Sequence, residues 1–218
     1  MSYTLMFSQI TRYIPLLLGG LGLSVVIAVI GMLVGSVLGI LVAVAKKSPF
    51  KLLQLLVDVY IEVFRNTPLL IQMYLFYFGL GQFQLHISAM NAALLALILN
   101  NGAYTGVIFQ TGLDAVNKGQ REAASALGMT SLQTYRYILI PQAFRIVIPP
   151  LTNQFISLFL FSSVASTISV PELLSQTLLI DSLTMRTFEV FIVTTLLYLA
   201  VTTIITLFSG WYEKRLKY

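Results

Sequence analysis

Five stretches of this chain, 13–45, 66–85, 87–113, 146–171 and 190–212, carry no charged side chain at all. Each is as long as, or longer than, the roughly 20 residues a helix needs to cross a hydrocarbon layer. Backbone N–H and C=O groups find no water there, so such stretches fold as helices that satisfy their own hydrogen bonds. Composition agrees: 10% of the 218 residues are charged, where a soluble domain has about 25%. The expectation is an all-α integral membrane protein with five transmembrane helices. Residues 1–218 would form one unit, with a membrane core at about 13–212. The first run is too long for a signal-peptide core and little positive charge precedes it, so it reads as an uncleaved first span.

Lysine and arginine set the direction of threading. With the N-terminus outside, the inner side collects Lys46, Lys47, Lys51, Lys118, Arg121, Arg136, Arg145, Lys214, Arg215 and Lys217. Arg12 and Arg186 fall outside, and Arg65 lies near the start of the second run. Ten of the thirteen basic residues therefore gather inside, which gives an N-out, C-in topology. The net charge of +5 is a mark of orientation and calls for no nucleic-acid partner.

Several chemistries are excluded. There is no cysteine, and His86 is the only histidine, so neither a disulfide framework nor a multi-histidine metal centre is available within the chain. The phosphate-cradling pattern GxxxxGK[ST] does not occur. No acid pair or nucleophile triad stands in the runs, which counts against an integral membrane enzyme. Missing intramembrane acids and missing inverted repeats count against an ion-driven carrier.

Within the runs, Gly31, Gly35 and Gly39 share one helical face and allow close approach of another backbone, in the same chain or a second subunit. Pro68 removes a backbone bond and predicts a kink. Asn100, Asn101 and Gln110 in the third run, and Asn153, Gln154 and Ser162 in the fourth, turn toward the bundle interior or a wet cavity. They are candidates for lining a path, with interhelical hydrogen bonding as the other reading. Residues 171–181 are amphipathic and too short to span, and are expected to form an outer-surface helix capping the bundle.

The polar insert at 114–141 holds "EAASALGMTSLQTYRYILIP" and lies on the inner side by the basic-residue rule. Asn117 with Gln120, and Thr130 with Gln133, have the spacing of capping boxes, each opening a helix. Gly128 can end the first in the left-handed conformation, and Pro141 is expected to stop the second. Ala123, Ala124 and Leu127 would give a low surface over which a partner can close. Leu132, Tyr135 and Leu139 recur at helical spacing, and Glu122 is placed in the first turn. A docking surface and a linker lying on the headgroups both fit these features.

That stretch resembles the EAA loop of bacterial ABC-importer permeases: EAA, three residues, Gly, nine residues, Ile, one residue, Leu-Pro. Glu122, Ala123, Ala124, Gly128, Ile138 and Pro141 match, and Ile140 replaces the leucine. "YIEVFRNTPLLIQ", "NNGAY", "IPQAFRIVIPPLTNQFISL" and "VPELLSQ" are similar to the polar amino-acid branch, the histidine, glutamine, arginine and cystine permeases. The resemblance implies a type I ABC importer permease fold and a non-catalytic subunit in the bacterial cytoplasmic (inner) membrane. The 114–141 segment would be a coupling-helix hairpin seated on a cytoplasmic ABC ATPase dimer. It further implies a second permease subunit, identical or related, an extracytoplasmic solute-binding protein, surrounding membrane lipid and a small-molecule amino acid as cargo. ATP and Mg would belong to the ATPase partners, with no cofactor in this chain. The alternative is an ion-coupled secondary amino-acid carrier.

Relatives similar to this chain carry a glutamate and an arginine where Val107 and Gln110 stand, and a lysine and an acid at Leu160 and Phe161. Three readings stay open. They are an unequal partner that holds the polar site, a less charged cargo, and salt bridges replaced pairwise at little cost.

Overall fold

The computed structural model describes residues 4–216. The chain enters through short 3-10 turns at Phe7–Gln9 and Thr11–Tyr13. It then forms α1 (Ile14–Lys46), α2 (Lys51–Asn66), α3 (69–82) and α4 (Ala89–Asp114). The insert gives α5 (Lys118–Ala126), followed by α6 (Ser131–Ile168), α7 (Leu173–Thr184) and α8 (Thr187–Leu216). Among the described residues every regular element is helical.

Four helical lengths are long and apolar enough to cross a membrane: Phe7–Lys46, Ala89–Asp114, Ser131–Ile168 and Thr187–Arg215. The run 66–85 is not one helix, which corrects the expectation of a continuous, kinked second span. Thr67 precedes Pro68, and the proline ring pushes the residue before it out of the helical region. Thr67 is extended (φ −113°, ψ 144°), as is Pro68 (ψ 133°), so the chain breaks fully between α2 and α3.

A break here leaves carbonyls without partners, and side chains supply them. Gln72 Nε2 donates to Phe64 O (3.0 Å), Thr67 O (3.2 Å) and Thr67 Oγ1 (2.8 Å). Asn100 Nδ2 donates to the same Phe64 carbonyl (2.7 Å), and Thr67 Oγ1 donates to Val63 O (2.8 Å). Unpaired polar groups in a dry interior cost about 1–3 kcal/mol each. Gln72→Leu is therefore expected to lower stability by about that amount, seen as a lower melting temperature of the detergent-solubilised chain.

The glycine row finds its partner within the same chain. Against α4, Asn101 Nδ2 donates to Gly31 O (3.2 Å) and Thr105 Oγ1 donates to Gly35 O (3.2 Å). A Cβ at Gly35 would lie 2.6 Å from Asn101 Nδ2, and one at Gly39 would lie 2.8 Å from the Gly106 backbone nitrogen. The contacts advance in step along both helices, so α1 and α4 run parallel. Their C-terminal ends meet in the ion pair of Lys47 Nζ with Asp114 Oδ1 (3.0 Å). The chain between them, through α2 and α3, must return from that basic end to the opposite one.

α6 runs antiparallel to α4, with Gln154 Nε2 donating to Asn101 Oδ1 (3.0 Å) and Leu158 packed over Gly31. The main core lies here, among Ile27, Met73, Ala96, Leu97, Leu158 and Ile168. α8 returns antiparallel to α6, joined by the Thr152–Ser209 hydroxyl pair (2.6 Å) and the Phe159–Tyr198 ring contact. α8 and much of α1 leave their apolar faces bare, including Leu33, Val37, Leu196 and Leu207.

Candidate functional site

The insert projects from the basic end between α4 and α6. α5 starts at Lys118, but the reciprocal box expected at Asn117 and Gln120 does not form. Asn117 Oδ1 instead accepts from Gly119 N (2.8 Å), and the Gln120 amide oxygen accepts from Gln142 Nε2 (3.3 Å), tying α5 to α6. α5 ends in a Schellman motif: Met129 N donates to Ala124 O and Gly128 N to Ser125 O, both at 3.0 Å. Gly128 supplies the required left-handed residue, with φ +75°. Thr130 and Gln133 do form a capping box, with Gln133 N donating to Thr130 Oγ1 (3.3 Å) and Thr130 N to Gln133 Oε1 (2.8 Å).

The helix opened by Thr130 does not stop at Pro141. It passes through a π-helical stretch, Thr134–Leu139, and continues to Ile168. A proline in regular α-helix clashes with the carbonyl four residues back. The wider π turn just before Pro141 moves that carbonyl, so the helix runs on. The insert is thus one short free helix packed on the first turns of a long one, rather than two short helices. The π turn also adds a residue to the spiral. Leu132 rotates out to 78% exposure while Leu139, expected on the same face, is buried.

The faces of α5 are likewise reassigned. Ala124 is buried against α6, whereas Glu122 and Ala123 are exposed with Leu127, which is 81% accessible. Glu122 is the fifth residue of α5, beyond the first turn, so the helix dipole does little for it. Gly128 and Pro141 are also exposed.

The six polar candidates for a path separate into two groups. Asn100 and Asn101 are buried and spend their amides on the break and on α1, while Gln154 bonds Asn101. Ser162 is buried and bonds back to Phe159 O (2.7 Å). These four are engaged in packing of the chain on itself. Asn153 is exposed and Gln110 half-buried. Val107 packs with Val42, Val57 and Ile61, whereas Leu160 (43%) and Phe161 (45%) face outward.

Two buried acids escaped the reading by runs, Glu189, one residue before the 190–212 run, and Glu172, one residue past the 146–171 boundary. Glu189 accepts from Met6 N (2.8 Å); Glu172 is held by three elements. It caps α7, accepting from Ser175 N (2.8 Å) with Oε1, and accepts from Ser24 Oγ (3.1 Å) of α1 and Tyr198 OH (3.3 Å) of α8 with Oε2. Its signal in the sequence is an N-cap position three residues before Ser175, at the head of an amphipathic helix. α7, the helix expected to cap the bundle, is a wedge held by α1 and α8, with Leu173 and Glu172 backbone seated against Gly20.

Burial raises the pKa of Glu172 above its ordinary value of 4.5, against hydrogen bonds that lower it. The folded chain then holds this proton more firmly than the unfolded chain. Stability contributed by the group is complete below about pH 4.5 and is lost as pH climbs through the raised value. Glu172→Gln is expected to flatten that part of the profile, measured as melting temperature against pH for parent and variant. A parent-to-variant difference constant across pH would contradict it.

The family model for "Binding-protein-dependent transport system inner membrane component" matches residues 35–218. The probable glutamine ABC transporter permease protein GlnM of Bacillus subtilis (strain 168) is 36% identical over 217 residues, covering 100% of this chain and 99% of the relative. The probable amino-acid ABC transporter permease protein YckA of the same organism is 36% identical over 201 residues, covering 92% of this chain and 89% of its own length. A crystal structure of an amino acid ABC transporter with histidines superposes with a TM-score of 0.93 at 37% identity, over 98% of this chain and 100% of that one. A chain with four membrane-length helices, α1 and α4 zipped in parallel, and a capped helix projecting between α4 and α6 thus belongs to the family of inner membrane components of binding-protein-dependent transport systems.

Proposed function

We propose that this chain is the permease subunit of an ATP-driven amino-acid importer, and that α5 with the first turns of α6 is the seat of a cytoplasmic ATPase dimer. The observation that carries this reading is α5 itself. It is capped at both ends, braced on α6 through Ala124 and Gln142, and holds Glu122, Ala123 and Leu127 toward solvent. A helix fixed in place yet bare on one face is what a partner needs in order to push on the spans behind it. Gly128 sets its end, and Pro141 marks where α6 leaves for the membrane. ATP and Mg would be held by the ATPase.

Five crossings in an N-out, C-in sense suit the parallel course of α1 and α4, with α2 and α3 together making the return. In this reading residues 1–218 form a single unit, with a core at about 13–212 and a coupling loop at 114–141. A second permease subunit would cover Leu160 and Phe161, beside Asn153 and Gln110 on the solute's path, and a solute-binding protein would deliver cargo at the opposite end. The outward aim of Leu160 and Phe161 favours contact with the partner or cargo over a replaced ion pair within the chain. The names of the relatives favour an amino acid as cargo, glutamine among them.

Proteoliposomes holding this chain with its ATPase test the reading. Uptake of radiolabelled glutamine should require both ATP and the binding protein. Uptake driven by a proton or sodium gradient without ATP would replace the importer with the secondary carrier.

A further inference from the structure

A cleft at the basic end stands apart from Glu122, Ala123 and Leu127 of α5 and from the polar interior. It has a volume of about 1110 Å³ and lies between the last turns of α1, the end of α4 and residues 135–151 of α6. Its walls are almost wholly apolar, with Leu41, Val44, Phe109, Ala143, Phe144 and Val147 prominent. Its mouth is different. Lys47 and Ser48 form part of the lining, and exposed Lys51 begins α2 two residues before the lining residue Leu53. Arg121 stacks over the ring of the lining residue Tyr135 at 5.7 Å, and exposed Arg145 follows Phe144. Asp114 is paired with Lys47 and Asp58 with Lys46.

From this juxtaposition we infer that the cleft binds one anionic phospholipid, its acyl chain between α1 and α6 and its headgroup among Lys51, Arg121 and Arg145. Three considerations fix the occupant. The walls belong to helices of membrane length, so the groove sits where acyl chains are the solvent. An apolar slot at hydrocarbon depth with cations at its interfacial end matches the two parts of an anionic lipid, and basic pockets between spans take such headgroups. A helix from a second copy would bring no negative charge to the rim beyond what its own sequence carries, and this chain is basic, with a net charge of +5. The inference rests on membrane embedding alone and does not depend on the importer reading. Such a lipid would splint the cytoplasm-proximal ends of α1 and α6, the helix that continues from the insert.

Native mass spectrometry of the delipidated full chain, titrated with phosphatidylglycerol or phosphatidylcholine of identical acyl chains, tests this. One phosphatidylglycerol should be retained in preference to phosphatidylcholine. Lys51→Gln should weaken its retention about fivefold, the effect of one basic residue near an anionic surface. Val44→Trp, at a site 66% exposed and therefore tolerant of bulk, should weaken both lipids about tenfold, the equivalent of two methylenes kept out. Equal retention of the two lipids, or retention indifferent to Val44→Trp, overturns the proposal. So does a Val44→Cys disulfide dimer in native membranes, which would put a second copy over the cleft; the absence of other cysteines makes that outcome readable.

Discussion

Gly39→Ala is expected to destabilise the chain by about 1–3 kcal/mol, and Gly39→Leu to leave no monodisperse protein after extraction. The cause is geometric. A Cβ at this site would overlap the Thr105 side chain and come within 2.8 Å of the Gly106 backbone nitrogen. The hydroxyl can turn aside, but the backbone of α4 cannot move without carrying the helix, so α1 and α4 must part. Parting them weakens the Thr105–Gly35 and Asn101–Gly31 bonds and loosens the Leu97–Leu158 packing beneath. Gly22→Ala is the control: nothing lies within 4 Å of its Cβ position, and alanine is the better helix former by up to about 1 kcal/mol. Melting curves in detergent should move in opposite directions for the two alanine variants. Equal curves would remove the glycine row from the account of how α1 is held.

Glu122→Lys is expected to abolish capture of the ATPase by affinity-purified chain while leaving the melting temperature unchanged. Glu122 is exposed, lies beyond the first turn of α5, and forms no ion pair among the described residues, so its reversal costs the fold little. At a closed interface the same change replaces an attraction by a repulsion. Disrupting a buried charge pair costs about 2–5 kcal/mol, so the captured ATPase should fall at least about thirtyfold. A lowered melting temperature alongside lost capture would assign Glu122 to the fold of the insert instead.

How far the sequence discloses this molecule varies with the physics involved. The runs 13–45, 87–113 and 190–212 reappear as α1, α4 and α8, since an uncharged stretch of that length in lipid has one way to satisfy its backbone. Local rules also carried the end of α5: a glycine at φ +75° and a threonine–glutamine cap are decided within six residues. Prolines were less transparent. Pro68 broke its helix where Gln72 and Asn100 stand ready to donate to the freed carbonyls, and Asn100 does so from 36 residues away in sequence from Phe64. Pro141 failed to break its helix because a π turn precedes it, and nothing in the string of residue types marks that turn. The polar candidates show the same limit. Asn100, Asn101 and Asn153 are alike as letters, and only the rotation of α4 and α6 sorts the engaged amides from the exposed one. Glu172 was missed because a boundary drawn by counting charges places it outside the run, while α7 folds it back between Ser24 and Tyr198.

The central claim, that the insert is the surface a motor grips, has one direct measurement. The chain lacks cysteine, so single cysteines can be placed at two sites of nearly equal exposure, Leu127 (81%) beside α5 and Phe83 (77%) in the turn before α4 at the opposite end. With the ATPase present and a short thiol-to-amine crosslinker added, Leu127→Cys should yield a permease–ATPase product whose amount changes with ATP, and Phe83→Cys should yield none. A product from position 83, or none from position 127, would contradict the account.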